Sequence, residues 1–495
     1  MSSVPASPDV DDEPVDPSRS HGFFGQPKSL ATIFSVEAWE RFSFYGMQGA
    51  MLLYLYYSAT DGGLGMPQAT AAGIIGAYGG GVYLSTILGA WLADRVLGPE
   101  RVLFYSAIVI MVGHVSLALL PGYAGVIVGL ICVAIGSGGL KANATSIVGS
   151  LYKLGDPRRD AGFSLFYLGI NLGALLGPLL TGFVQEAAGF HWAFGLAAIG
   201  MAIGLTQYAF GRKYLPEDTR HVPRPLPSDH RTRVILIGVA AIIVILVLIF
   251  TGVITADNLS IVVIISVVAA TIAYFIVILS SRQIDPTERS RVFGFIPLFI
   301  ASVAFWSLYQ QQFTVLTIYS DERLDRQILG VELPILAVQS INPVFIIILA
   351  GVFAALWTKL GTRQPSTPIK FALGTIIMGV AFLLFLPFAG GGPNSTPLIA
   401  MTGIIFVFTV AELLISPVGL SVTTKLAPRA FHTQMVALFF LSVALGTSIS
   451  GWLAGFYDAD SEIAYFGILG AIAIALGALL ALFAKPVLKL MAGVR

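Results

Sequence analysis

Charge is scarce in this chain of 495 residues. Asp, Glu, Lys and Arg make up 11% of it, where an ordinary soluble domain has about a quarter. Apolar residues make up 56%, more than one water-soluble core can hide, so lipid is the implied solvent. The net charge of +1 offers no polyanion-binding face, which argues against a nucleic-acid partner. Cys132 is the single cysteine; it has no partner for an intrachain disulfide and reads as a packing residue. The six histidines are dispersed and neither HExxH nor GxSxG occurs, so nothing points to an enzyme, a metal site or an organic cofactor. The first 28 residues also lack the basic-then-apolar pattern of a cleavable signal. They are Pro-rich, Ser-rich and acidic, and 1–29 is expected to be a disordered cytoplasmic tail.

What is abundant is apolar sequence in long runs. Fourteen segments, from 30–57 to 463–486, approach the roughly 20 residues that a bilayer crossing needs. An even number places both termini on one side, and the positive-inside rule tests that arrangement. With a cytoplasmic N-terminus, all of the 28 Lys and Arg residues fall on the cytoplasmic side except Arg41, Lys141, Arg323 and Arg326. The expected fold is therefore an all-α integral membrane protein of the cell (plasma or inner) membrane with 14 transmembrane helices. A Pro-rich, charged segment at 215–233 reads as a cytoplasmic linker. It separates a six-helix bundle (30–214) from an inserted helix pair (234–281) and a second six-helix bundle (292–495). The doubled six-helix layout is that of carriers whose site lies between the halves near the bilayer midplane. It disfavours a channel or receptor. The inserted pair carries few intramembrane polar groups and is expected at the periphery. The 53 glycines suit helices that approach closely in lipid.

Ionisable groups inside hydrocarbon cost at least about 2.5–3.5 kcal/mol each, so their positions mark where function is concentrated. Five stand out: Glu37, Glu40 and Arg41 on the first span, Lys141 on the fourth and Glu412 on the twelfth of the fourteen. At about 100° per residue, Glu37, Glu40, Arg41, Tyr45 and Gln48 share one sector of the first helix. A structural salt bridge between Glu37 and Arg41 at i,i+4 accounts for two of these charges but not for Glu40, Lys141 or Glu412. The five sum to −1 when all are ionised, so one proton neutralises the set, which is one way to build a proton-coupled carrier. Tyr167 with Asn171, Trp306 with Gln310, and Asn342 add polar groups; each alone reads as an interhelical hydrogen bond. His114 reads as a packed neutral imidazole rather than a proton relay. Pro178, Pro343 and Pro417 are expected to kink their helices.

These residues sit in recognisable motifs. VEAWERFSFYGMQ (Glu37, Glu40, Arg41) resembles the ExxERF motif of the proton-dependent oligopeptide transporters, in the major facilitator superfamily. GSGGLKANATSIVG, which carries Lys141, is similar to that family's fourth-helix motif. FSLFYLGINLGALLGPL resembles its FYxxxNxG signature, AELLISPVGLSVTTKLAP its helix bearing Glu412, and GAWLADRVLGPER the loop motif of the superfamily. The resemblance covers nearly the whole chain, and bacterial members share the two extra helices. It implies a symporter that imports di- and tripeptides with protons by alternating access, working as a monomer in lipid with no cofactor beyond the coupling proton.

The resemblance also implies residue roles. Glu37, Glu40, Arg41 and Lys141 couple proton to substrate, and Arg41 and Lys141 bind the peptide carboxylate. Glu412, with Asn171 and Asn342, faces the peptide amino end. Tyr45, Tyr83, Trp306, Gln310 and Ser416 line the cavity. Where many members pair an Arg with a Glu to close the extracellular gate, this chain has Gln48 and Gln310, which predicts a hydrogen-bonded or rearranged gate. A Trp expected on the penultimate helix is Phe439. The competing reading is a carrier of the same fold for another small substrate, a nitrate-like anion or a drug, by antiport. The fixed carboxylate of Glu412 argues against a purely anionic cargo.

Overall fold

Hydrocarbon offers no water to bond backbone N–H and C=O groups, so every apolar segment has to satisfy them internally as a helix. The computed structural model describes residues 21–152, 156, 158–328 and 330–494. Its principal helices are α1 (Lys28–Tyr56), α2 (Gln68–Leu92), α3 (Pro99–Leu119), α4 (Gly122–Ser150), α5 (Arg159–Ala188), α6 (Phe190–Gly211), α7 (Ser228–Phe250) and α8 (Leu259–Ser280). There follow α9 (Pro286–Tyr309), the short α10 (Val315–Glu322), α11 (Ile341–Leu360), α12 (Thr367–Leu383), α13 (Leu398–Leu426), α14 (His432–Ala454), α15 (Glu462–Leu482) and the short α16 (Ala484–Leu490). Prolines mark several starts: Pro67, Pro121, Pro227 and Pro397 are N-caps, and Pro99 and Pro286 open their helices. A missing N–H costs nothing there, because the first turn of a helix has no acceptor for it.

Thirteen of the described helices are long and apolar enough to cross a membrane, one fewer than the fourteen expected. The difference is α1, whose 29 residues are ample for a crossing but carry the Glu37–Glu40–Arg41 stripe. The disorder expected over 1–29 does not extend over its last nine residues. Residues 1–20 lie outside the described residues, whereas His21–Phe23 and Gln26–Pro27 pair as an antiparallel hairpin leading into α1. Tyr152 Oη donates to Gln26 Oε1 at 3.0 Å, tying that hairpin to the end of α4.

Helices α1–α6 pack on one another, most closely as α1 on α5 and α6 and α3 on α4; α9 and α11–α15 form a second group in which α12 lies against α13 and α15 and α9 against α14. The two groups meet along α2 and α14 and along α5 and the 3-10 segment Ile335–Ser340. At the first seam Gly76 and Gly451 face each other so closely that a Cβ on Gly76 would lie 2.5 Å from Gly451 Cα.

The inserted pair divides. No residue of α7 is buried, in keeping with a peripheral position. Helix α8 instead packs on both α2 and α14 and so bridges the seam between the two groups, a position its lack of charge did not reveal. The linker that precedes the pair is not loose. The backbone N–H groups of Arg224 and Leu226 donate to the carbonyls of Asp94 and Arg95, both at 2.9 Å. Pro178 and Pro417 lie inside α5 and α13, but Pro343 is the third residue of α11. That helix follows directly on the 3-10 segment Ile335–Ser340, so Pro343 sits where one continuous helical run changes from 3-10 to α geometry. His114 is fully buried on α3 and neither ring nitrogen has a partner among the described residues.

A charged cavity between the bundles

The first half of the site is built on α1. Glycine at 173 lets α5 lie directly on this helix, since a Cβ there would come within 2.8 Å of Arg41 Cβ. Arg41 is thereby pinned facing inward. Its Nε lies 3.2 Å from Glu37 Oε1 and 2.6 Å from Glu40 Oε2, and all three side chains are almost wholly buried. The contact is ionic rather than well directed, because Arg41 Nε and Nη2 have no hydrogen-bond acceptor in line among the described residues. Lys141 forms no ion pair among the described residues; its Nζ sits 4.3 Å from the centre of the Tyr83 ring, a cation–π contact that shields an ammonium without neutralising it.

The second half is built on α9, α11 and α13. Glu412 Oε2 accepts from Tyr309 Oη at 2.8 Å and from Asn342 Nδ2 at 3.3 Å, and Asn342 Nδ2 also reaches Thr409 Oγ1 at 3.0 Å. This carboxylate is held by neutral donors and has no cation beside it among the described residues. An anion on the second bundle therefore faces two cations on the first.

Between them lies a cavity of about 1090 Å³, large for a small-molecule site. It is lined by Glu37, Arg41, Tyr45, Gln48, Tyr83, Lys141, Asn171, Trp306, Gln310, Asn342, Glu412 and Ser416, the expected residues with one exception. Glu40 does not line it and is fully buried behind Arg41. Asn171 turns back to its own helix, donating to Tyr167 O at 2.9 Å. The indole N–H of Trp306 is buried without an acceptor among the described residues. Phe439 also lines the wall.

Several wall residues escaped the sequence reading. Tyr309 had a signal, since it follows Trp306 by one helical turn and so shares its face. Phe313 had none: it lies in the 3-10 turn Gln310–Phe313, and its ring stacks on Tyr45 with centroids 5.7 Å apart and planes 18° apart. Tyr274 reaches the wall from α8, which shows that the inserted pair is not wholly peripheral.

The cavity opens toward the linker. Arg95, Arg159, Arg224 and Arg429 line its mouth together with Asp94 and His432. At the opposite end the bundles are tied together. Tyr56 Oη and Tyr57 Oη donate to the two oxygens of Asp321 at 2.6 and 2.9 Å, Gln68 Nε2 to Glu322 Oε1 at 2.9 Å, and Ser340 Oγ to Leu175 O at 2.7 Å. Arg326 adds an ion pair to Glu186 at 3.2 Å. Gln48 and Gln310 both face the cavity, but no hydrogen bond joins them among the described residues. Closure at this end is thus carried by other residues than the pair the sequence singled out.

Two helical bundles that enclose a charged cavity, sealed at one end and open at the other, define a transporter of the major facilitator class. Within that class the chain belongs to the POT family, whose sequence pattern matches residues 100–472. It is 43% identical over 479 residues to the uncharacterized transporter YclF of Bacillus subtilis (strain 168), covering 96% of both chains. It is 39% identical over 488 residues to a di-/tripeptide transporter of Lactococcus lactis subsp. lactis (strain IL1403), covering 96% of this chain and 98% of the other. Its fold is similar to a crystal structure of peptide transporter POT in complex with sulfate, with a TM-score of 0.92, 44% identity, and coverage of 97% of this chain and 99% of that one.

Proposed function

We propose that the chain is a proton-coupled symporter that imports di- and tripeptides across the cell membrane by alternating access. The observation that carries this reading is the opposition of charges across the cavity: Arg41 and Lys141 on one wall, Glu412 on the other, with neither Lys141 nor Glu412 spent in an ion pair among the described residues. A zwitterionic peptide needs a cation for its carboxylate and an anion for its amino group, held a fixed distance apart. Recognition of the two ends leaves the side chains to the aromatic walls, which suits a broad range of peptides. The names of the relatives support the same substrate class.

Coupling follows from the same groups. Glu37 borders the cavity and shares Arg41 with Glu40. Protonation of Glu37 removes one of the two anions holding the guanidinium, which frees it to pair with the peptide carboxylate. Asn342 and Asn171 serve the amino end and the backbone amides, while Tyr45, Tyr83, Trp306, Gln310 and Ser416 shape the walls. Gln48 and Gln310 hold no charge at the extracellular gate, so no proton is exchanged there. With both termini cytoplasmic, the open mouth faces the cytoplasm, and one copy of the chain in lipid holds the whole pathway.

The deciding experiment is uptake of a labelled dipeptide into liposomes, by counterflow and under an imposed pH gradient, with Lys141→Ala as control. Uptake that ignores the gradient would remove symport from the reading. An absence of uptake by the unmodified chain would remove peptides as the substrate.

A further inference from the structure

We propose that Ser137 is a positioning residue for proton coupling: by donating to Glu40 it holds that carboxylate in place as the anchor of Arg41, leaving Glu37, which borders the cavity, as the proton-exchanging partner. The inference rests on the symport reading above and adds a division of labour within its charge network.

Four observations carry it. Ser137 is fully buried on α4, and its Oγ donates to Glu40 Oε1 at 2.7 Å. The other oxygen of Glu40 faces Arg41 Nε at 2.6 Å, so both of its oxygens are engaged. Glu37 differs on each count, since only Oε1 approaches Arg41, at 3.2 Å, and its Oε2 has no partner among the described residues. Finally, Glu37 borders the cavity whereas Glu40 does not. A proton arriving through the cavity meets Glu37 first, while Glu40, held by a hydrogen bond as well as an ion pair, keeps its place against Arg41.

The position of Ser137 in the helix gives the contact a second effect. Ser137 and Lys141 are four residues apart on α4 and so lie on one face. The bond to Glu40 therefore ties the face that carries Lys141 to α1. The other ionisable groups around this network are Lys141, which acts on both carboxylates and on Arg41, and the phenols of Tyr45, Tyr78 and Tyr83. Among these, Tyr78 on α2 is buried with its hydroxyl unpartnered among the described residues, so it does not substitute for Ser137 as a donor.

The test compares the full-length protein with Ser137→Ala, Ser137→Thr and Ser137→Cys in liposomes. Counterflow of a labelled dipeptide at equal pH on both sides reports folding and substrate exchange; gradient-driven uptake from pH 5 to 8 reports coupling. Removing the donor loosens Glu40 from Arg41, so gradient-driven uptake by Ser137→Ala should fall by roughly 5–10-fold, with a changed pH profile, while counterflow persists. Ser137→Thr keeps a hydroxyl and should follow the unmodified profile. Ser137→Cys keeps the volume with a weaker donor and should fall between them; it decides the matter if the alanine variant loses counterflow. A Ser137→Ala or Ser137→Cys profile that superimposes on the unmodified one overturns the role of Ser137, as does a threonine variant that shifts as far as the alanine one. Unmodified protein whose uptake ignores the gradient overturns the symport reading itself, a result separable from the others because it needs no variant.

Discussion

Tyr56 and Asp321 belong to different bundles, yet the Tyr56 hydroxyl donates to Asp321 Oδ2 at 2.6 Å while Tyr57 donates to Oδ1 of the same carboxylate at 2.9 Å. One acidic side chain thus gathers two phenols from the end of α1, at the end of the molecule where Gln48 and Gln310 are not bonded to each other. Hydrogen bonds to a charged acceptor contribute about 1.5–3 kcal/mol each, enough for this pair to set which end of the cavity is shut.

Asp321→Ala should therefore shift the population toward the state open at this end, by roughly tenfold or more. The measurement is the alkylation rate of a cysteine placed at Gln48, in a Cys132→Ser background, by a membrane-impermeant reagent added only on the side of the Tyr56–Asp321 closure. An unchanged rate in Asp321→Ala would show that Gln68, Ser340 and Arg326 hold the closure without it. Tyr56→Phe combined with Tyr57→Phe should reproduce the effect without altering charge.

Opposing charges across the cavity predict a pattern of substrate preference. Acetylating the amino end of a dipeptide should weaken binding to the unmodified protein, and Glu412→Gln should largely erase that difference while weakening the free peptide by about tenfold. Competition binding with the two peptides measures it. If acetylation costs the same in both proteins, Glu412 does not receive the amino group.

Tyr309→Phe should be milder. It removes one of the two donors that hold Glu412 and keeps the ring against Trp306 and Phe305, so the peptide dissociation constant should rise about 2–10-fold with little change in stability. A thermal melt and a binding isotherm on one preparation separate these effects.

Putting charges back at the gate should be tolerated only as a pair. Gln310→Glu or Gln48→Arg alone introduces an ion into a buried position (Gln48 is 4% and Gln310 8% exposed), and an unpaired buried charge costs about 3–5 kcal/mol. Both singles should transport poorly and the double variant should recover. Equal impairment of single and double variants would mean that the two positions do not meet during the cycle.

What the sequence disclosed and what it concealed divide along physical lines. Glu37, Arg41, Lys141 and Glu412 were visible because a charge in an apolar run is conspicuous whatever the fold. Their motifs carried the family resemblance, and the POT family match agrees with it. Asp321, Tyr56 and Tyr57 were not legible. An aspartate beside Glu322 and Arg323 looks like an ordinary solvated turn, and only the docking of two bundles reveals that it is gripped. Ser137 was hidden for the opposite reason, since a serine among glycines reads as packing until its neighbour across the helix interface is known. The sealed position of Glu40 could not be read from periodicity either, because Glu37, Glu40 and Arg41 share one sector of α1 and only the depth of the neighbouring helices separates them.

Helix α7 carries a different kind of lesson. A helix with no buried residue has few constraints from the shape of protein neighbours, so the order of its isoleucines, leucines and valines is largely free while their composition is not. Shuffling residues 234–250 among themselves should leave folding and uptake intact, whereas the same shuffle within α8, which has to fit two partners at once, should not. In α7 the chain answers only to the thickness and oiliness of the bilayer, and a drift of that segment between related transporters would record the membrane each inhabits rather than the cargo each carries.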